Sequence, residues 1–117
     1  MAMSKQKIFD TVKAHLLQQG QQSEDSEGCK YRGPGDLKCA IGCLIADEHY
    51  TPELEWKTPD HSLVRAALDK SGVTDSGTTP DDLYYLRRLQ IVHDNNHPKY
   101  WGNLLAGLAK SHGLNNE

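Results

Sequence analysis

A chain of 117 residues, 37% hydrophobic and 25% charged, with a mean hydropathy of -0.69, fits one small globular domain as the default. Its 13 basic and 16 acidic residues leave a net charge of -3, which excludes a long-range pull toward phosphate backbones and makes nucleic acid a poor partner. No apolar run approaches the ~18 residues a bilayer span needs, and residues 1–20 lack the basic-then-apolar order of an export signal, so a soluble, cytoplasmic protein is expected.

Ser4 caps a first predicted helix in which Ile8, Val12 and Leu16 recur every fourth residue, Phe9 and Leu17 widen the stripe, and Gly20 ends it. Residues 21–28 hold no apolar side chain and read as a flexible acidic loop that links without packing. Gly33-Pro34-Gly35-Asp36 then supplies the fixed and positive φ values of a tight reversal. A short β-hairpin is expected there, with Lys30, Tyr31 and Arg32 on one arm and Leu37 and Lys38 on the other. A ribbon of that length must lean on the helices. Residues 39–45, Cys-Ala-Ile-Gly-Cys-Leu-Ile, are too apolar to be exposed; their length and alanine favour a short helix, and Gly42 marks a close backbone approach.

Residues 47–57 are acidic and broken by Pro52, a loop whose Tyr50, Leu54 and Trp56 fold back onto the core. Thr58-Pro59-Asp60 and Thr79-Pro80-Asp81-Asp82 each offer an N-cap hydroxyl, a proline at the first helical position and carboxylates at the positive end of the dipole. Two helices are predicted from them, the first ending near Ser71-Gly72 and the second breaking around Asn95-Asn96, because Pro98 disfavours helix at His97. Pro98 opens a last helix with Trp101, Leu104, Leu105 and Leu108 on one side, closed by Gly113 and Leu114. The fold expected is mainly α: a single small domain, 1–117, of four to five helices with a short β-hairpin insert.

Three cysteines in a chain read as cytoplasmic stay reduced, and an odd number cannot all pair. Cys29, Cys39 and Cys43 could close a zinc site with His93, but their spacing lacks the usual Cys-x2-Cys pair, and small buried cysteines explain the apolar run better. A cysteine hydrolase using Cys39 or Cys43 with His93 is a second alternative. Against it, adjacent His93 and Asp94 side chains on a helix point apart, so Asp94 is not expected to orient the imidazole. Asp47-Glu48-His49, and Glu53 with Glu55, are read as solvated loop groups, and Gly33-Pro34-Gly35 lacks the lysine and helix start of a phosphate loop. Tyr31, Arg32, Tyr50 and Trp56 are the residue types that anchor interfaces. The neighbours Tyr84-Tyr85 and Tyr100-Trp101 cannot both face inward, so one ring of each pair is expected outside.

The pattern Cys29-Lys-Tyr-Arg, then Leu37-Lys-Cys-Ala-Ile-Gly-Cys-Leu-Ile-x-Asp-Glu-x-Tyr50, then Leu89-Gln-x-x-His-Asp94 and Trp101 resembles a family of small proteins encoded by phages and prophages. The likeness covers most of the chain. It implies a phage or prophage origin and marks Cys29, Tyr31, Arg32, Cys39, Asp47, Tyr50, His93 and Asp94 as shared positions. This chain departs from the pattern at Ala46, where proline is usual, and some members carry alanine at Cys43, which counts against an essential three-cysteine zinc site. The resemblance implies a non-enzymatic accessory protein that binds a host protein, host-defence factors included. Tyr31, Arg32, Asp47, Tyr50, His93 and Asp94 are the expected binding residues, with no catalytic residue and no cofactor.

Overall fold

The structure, a computed structural model, describes residues 1–116. Helix α1 (Lys5–Gln19) begins where the Ser4 hydroxyl accepts the Lys7 amide at 3.1 Å and ends at Gly20, whose φ of 67° suits glycine and whose amide donates to Leu16 O. Its Ile8, Phe9, Val12 and Leu16 are fully buried.

The hairpin forms one segment earlier than the turn signal implied. Strands β1 (Glu24–Asp25) and β2 (Gly28–Cys29) pair antiparallel, Glu24 opposite Cys29 and Asp25 opposite Gly28. The Asp25 carboxylate closes the connection by accepting the Glu27 amide at 2.8 Å, and Gly28 takes a φ of 129°. Around Gly33-Pro34-Gly35-Asp36 the expected ribbon shrinks to one bridge, Arg32 with Lys38. Gly35 and Asp36 both take positive φ, 71° and 62°, and roll Pro34–Asp36 into a 3₁₀ turn in place of strand. Residues 21–28 therefore do more than link, and Ser23 is fully buried.

The apolar run after Cys39 makes a 3₁₀ turn, Gly42–Leu44, that packs on α1. A Cβ on Gly42 would lie 2.3 Å from Tyr31 O, so only glycine fits where the two backbones meet. Turns Asp47–His49 and Pro52–Leu54 lead to α2 (Ser62–Lys70). That helix starts later than Thr58 implied: the Thr58 hydroxyl donates to the Asp60 carboxylate, and His61 Nδ1 accepts the Leu63 amide as the cap.

Helix α3 (Pro80–Asp94) opens on a complete capping box, Thr79 accepting the Asp82 amide at 3.1 Å and Asp82 accepting the Thr79 amide at 3.0 Å. It stops at Asp94, and the 3₁₀ turn Pro98–Tyr100 runs into α4 (Trp101–Ser111). Leu114 N donates to Ala109 O across Gly113 at φ 65°, the glycine-closed end that the sequence implied. Helix α4 packs on both α1 and α3 around Phe9, Tyr85, Trp101 and Leu105. The result is a mainly α single globule of four helices, 3₁₀ turns and one two-stranded hairpin, and no helix among the described residues is long and apolar enough to cross a membrane.

Candidate functional site

His93 sits on the last turn of α3, fully buried and stacked on Trp101 with ring centroids 5.4 Å apart. Its Nε2 faces the Ser23 amide at 2.9 Å and so must accept, which leaves the proton on Nδ1, donated to Asp94 Oδ1 at 2.7 Å. Neighbouring side chains thus do meet, contrary to the expectation from helix geometry: Asp94, the final residue of α3, sets its carboxylate between the His93 ring and Gln90 one turn back. Gln90 Nε2 donates to both Asp94 oxygens, and its Oε1 accepts the Ile41 amide at 2.9 Å. The Ser23 hydroxyl donates to Lys30 O at 2.7 Å. Gln22 Nε2 donates to His93 O at 2.9 Å, covering an open carbonyl at the end of the helix. One polar network therefore ties the ribbon, the Gly42–Leu44 turn and α3 together.

Cys29, and neither Cys39 nor Cys43, is the cysteine of this cluster. Its sulfur, an imidazole nitrogen of His93 and an Asp94 oxygen lie within 4.8 Å of one another. The chemistry of the donors opposes both reactive readings. The imidazole's one lone pair is engaged by the Ser23 amide, so it cannot take a thiol proton, and the thiol donates to Asp94 O at 3.7 Å. Burial first, then the Asp94 and Glu24 charges, push the Cys29 thiol up to about 11, away from thiolate at neutral pH. A metal on Nδ1 would force the proton to Nε2, donor against the Ser23 donor, so the trio as placed does not fit an ion. Cys39 is fully buried, its sulfur accepting the Gly42 amide at 3.2 Å, and Cys43 donates to Ala40 O at 3.0 Å. Both are packing residues, with thiols raised by burial.

The remaining expected residues divide between frame and surface. Tyr31 is 5% exposed; its hydroxyl donates to Lys57 O at 2.6 Å, and its amide to Glu55 Oε1 at 2.8 Å. Arg32 donates to Asp47 Oδ1 at 2.5 Å and Ile45 O at 2.6 Å, and its guanidinium lies 5.0 Å from the Tyr50 ring centroid. Both side chains hold the frame and offer little to a partner. Asp47 is exposed, its carboxyl held below the usual range by the Arg32 hydrogen bond and by Lys38. The half-buried Tyr50 donates to Glu55 Oε2 at 2.6 Å, and burial with that carboxylate lifts its hydroxyl to about 12.

Trp56, expected on the core, turns outward. It is 62% exposed and holds a φ of 68°, a left-handed backbone that costs a large L-residue about 1–2 kcal/mol. Its neighbours impose that conformation. Glu55 is clamped by the Tyr31 and Arg32 amides and the Tyr50 hydroxyl, and Lys57 O by the Tyr31 hydroxyl. The ring lies against Gly28, where a Cβ would stand 3.4 Å away, with Lys30 Nζ 4.2 Å from its centroid. It borders a cleft of ≈ 330 Å³ between residues 29–31, residues 55–59 and the Arg87, Ile91 and Asp94 positions of α3. Sequence reasoning missed Ser23, Gln22, Glu55 and Arg87 as participants. Only the polar run after Gly20 hinted that something other than packing fixes residues 21–28.

No known protein family, no curated protein and no solved structure matches this chain.

Proposed function

We propose that this chain is a non-enzymatic, phage-type accessory protein that works by binding a protein of its bacterial host, with defence factors such as CRISPR nucleases among the candidates, and that the Trp56 cleft is its contact face. The observation that carries the reading is Trp56 itself: a large aromatic ring, held outward at a backbone cost by two anchored neighbours, beside a cleft. Tryptophan is among the residue types that dominate interface hot spots. The neighbouring Cys29, His93 and Asp94 have no base free to activate the thiol, which weighs against an enzyme. The phage and host assignments rest on the resemblance of the central motif.

The test is affinity capture from bacterial lysate with the wild-type chain and with Trp56→Asn, a replacement that tolerates left-handed backbone and removes the ring. A host protein retained by the wild type, reconstituted from purified components and lost from a variant that melts normally, is the expected result. Retention of the same protein by Trp56→Asn would move the contact elsewhere, and failure of the wild type to retain any host protein would end the reading.

A further inference from the structure

We infer that the cleft takes an acidic peptide segment with an apolar side chain beside its carboxylates, an assignment that rests on the cleft being the contact face. The argument is which hydrogen-bonding groups inside it remain open. Its carboxylates are engaged: both Glu55 oxygens hold the Tyr31 and Arg32 amides and the Tyr50 hydroxyl, and the Asp94 oxygens hold His93 and Gln90. The neutral Cys29 thiol is turned to Asp94 O.

Its donors are not engaged in the same way. Arg87, exposed on α3, makes no hydrogen bond or ion pair among the described residues and acts on Asp60 only through space. Lys57 gives one N–H to Glu53 O, and Lys30 rests on the Trp56 ring 3.7 Å from Asp25. The open charged group in the cleft is thus a donor, and a carboxylate suits the forked Arg87 guanidinium best. Asp25 and Asp60 at the rim temper the field, which favours a segment with a few carboxylates aimed at Arg87 over a dense polyanion. The net charge of -3 sets the same limit against nucleic acid.

Shape argues for a peptide over a small anion. Trp56 and Ile91, 62% and 40% exposed, flank the donors, and Tyr84, 62% exposed, continues the face of α3 beyond Arg87. Tyr84, Arg87 and Ile91 follow i, i+3, i+7 spacing, a strip roughly 10 Å long, which about three residues of extended chain would cover.

The test is selection of a random peptide library on the intact chain, followed by titration of the enriched peptides and their Asp→Asn, Glu→Gln forms. Enrichment of Asp or Glu next to Leu, Phe or Ile is expected, with affinity falling at least about tenfold on neutralising the peptide or in Arg87→Gln, and falling with added salt. No enrichment, enrichment of neutral or basic peptides, or equal binding by Arg87→Gln and Trp56→Asn would overturn it. So would free glutamate competing as well as the peptide, which would assign the cleft to a small carboxylate. A host protein held through Trp56 beside a neutral peptide preference would defeat this inference and leave the proposed function standing. Acidic peptides bound at the cleft with no host protein retained would do the reverse.

Discussion

Ser23 and His93 are 70 residues apart in sequence and share one hydrogen bond, amide to imidazole, with no solvent to replace it. His93→Ala leaves the Ser23 amide without a partner, leaves Asp94 Oδ1 with Gln90 alone, and opens a cavity against Trp101. It should destabilise the protein by about 3 kcal/mol in urea unfolding. Arg32→Ala removes the bonds to Asp47 and Ile45 O and should cost about 2 kcal/mol. A stability change near zero would return Arg32 to the list of surface contacts. Cys29, with its thiol near 11, should react slowly with iodoacetamide at neutral pH and faster as the pH climbs, while Cys39 reacts only on unfolding. Rapid, single-site labelling of Cys29 near pH 7 would contradict the inert-thiol assignment, and rapid labelling of Cys39 or Cys43 in the folded chain would restore the nucleophile reading. The sequence marked His93 and Asp94 as a pair, but helix geometry was read as pointing their side chains apart, and the 2.7 Å contact of His93 Nδ1 with Asp94 Oδ1 overturns that.

At the scale of elements, the helices were legible because each is fixed by local chemistry: Ser4 and Gly20 on α1, the Thr79 and Asp82 box on α3, Gly113 after α4. A short hairpin was legible too, but its place was not, because two-residue strands carry no alternation and the Gly-Pro-Gly-Asp turn outweighed the quieter Asp25 and Gly28 turn. Thr58 misled for a similar reason, its hydroxyl preferring a carboxylate two residues on to an amide of the helix. Gly42 was read correctly as a close approach, and it sets a sharp test. Gly42→Ala would place a methyl 2.3 Å from Tyr31 O and 3.2 Å from Cys39 Sγ, against backbone that the Glu55 clamp holds in place. A loss of about 3 kcal/mol is expected, measured as a fall in the urea midpoint with an unchanged slope.

At the scale of the whole molecule, the carboxylates give the pH response its sign. The Arg32 hydrogen bond holds Asp47 below its ordinary range, and the Thr79 amide does the same for Asp82. Groups depressed in the folded state stabilise it above their unfolded pKa and lose that contribution as pH falls through the folded value. His112, lowered by burial and then by Arg88, acts in the same direction, because the unfolded chain binds its proton more readily. Thermal midpoints should therefore be level near neutral pH, begin to fall through the ordinary histidine range, and fall further below the ordinary carboxylate range. Asp47→Asn should flatten the acid limb; a midpoint that rises on acidification would contradict these assignments.

The same scale explains why the candidate site was only partly visible. Trp56 and Arg87 lie 31 positions apart in sequence, and the outward turn of the ring follows from clamps made by Glu55, Tyr31 and Tyr50, none of which announces itself in a linear reading. The most direct measurement is amide hydrogen exchange on the chain alone and with the captured host protein bound. The account predicts slowed exchange across residues 29–31 and 55–59, the two loops that border the Trp56 cleft. Protection confined to the Asp47–His49 turn or to the exposed face of α4, with those two loops unchanged, would contradict it.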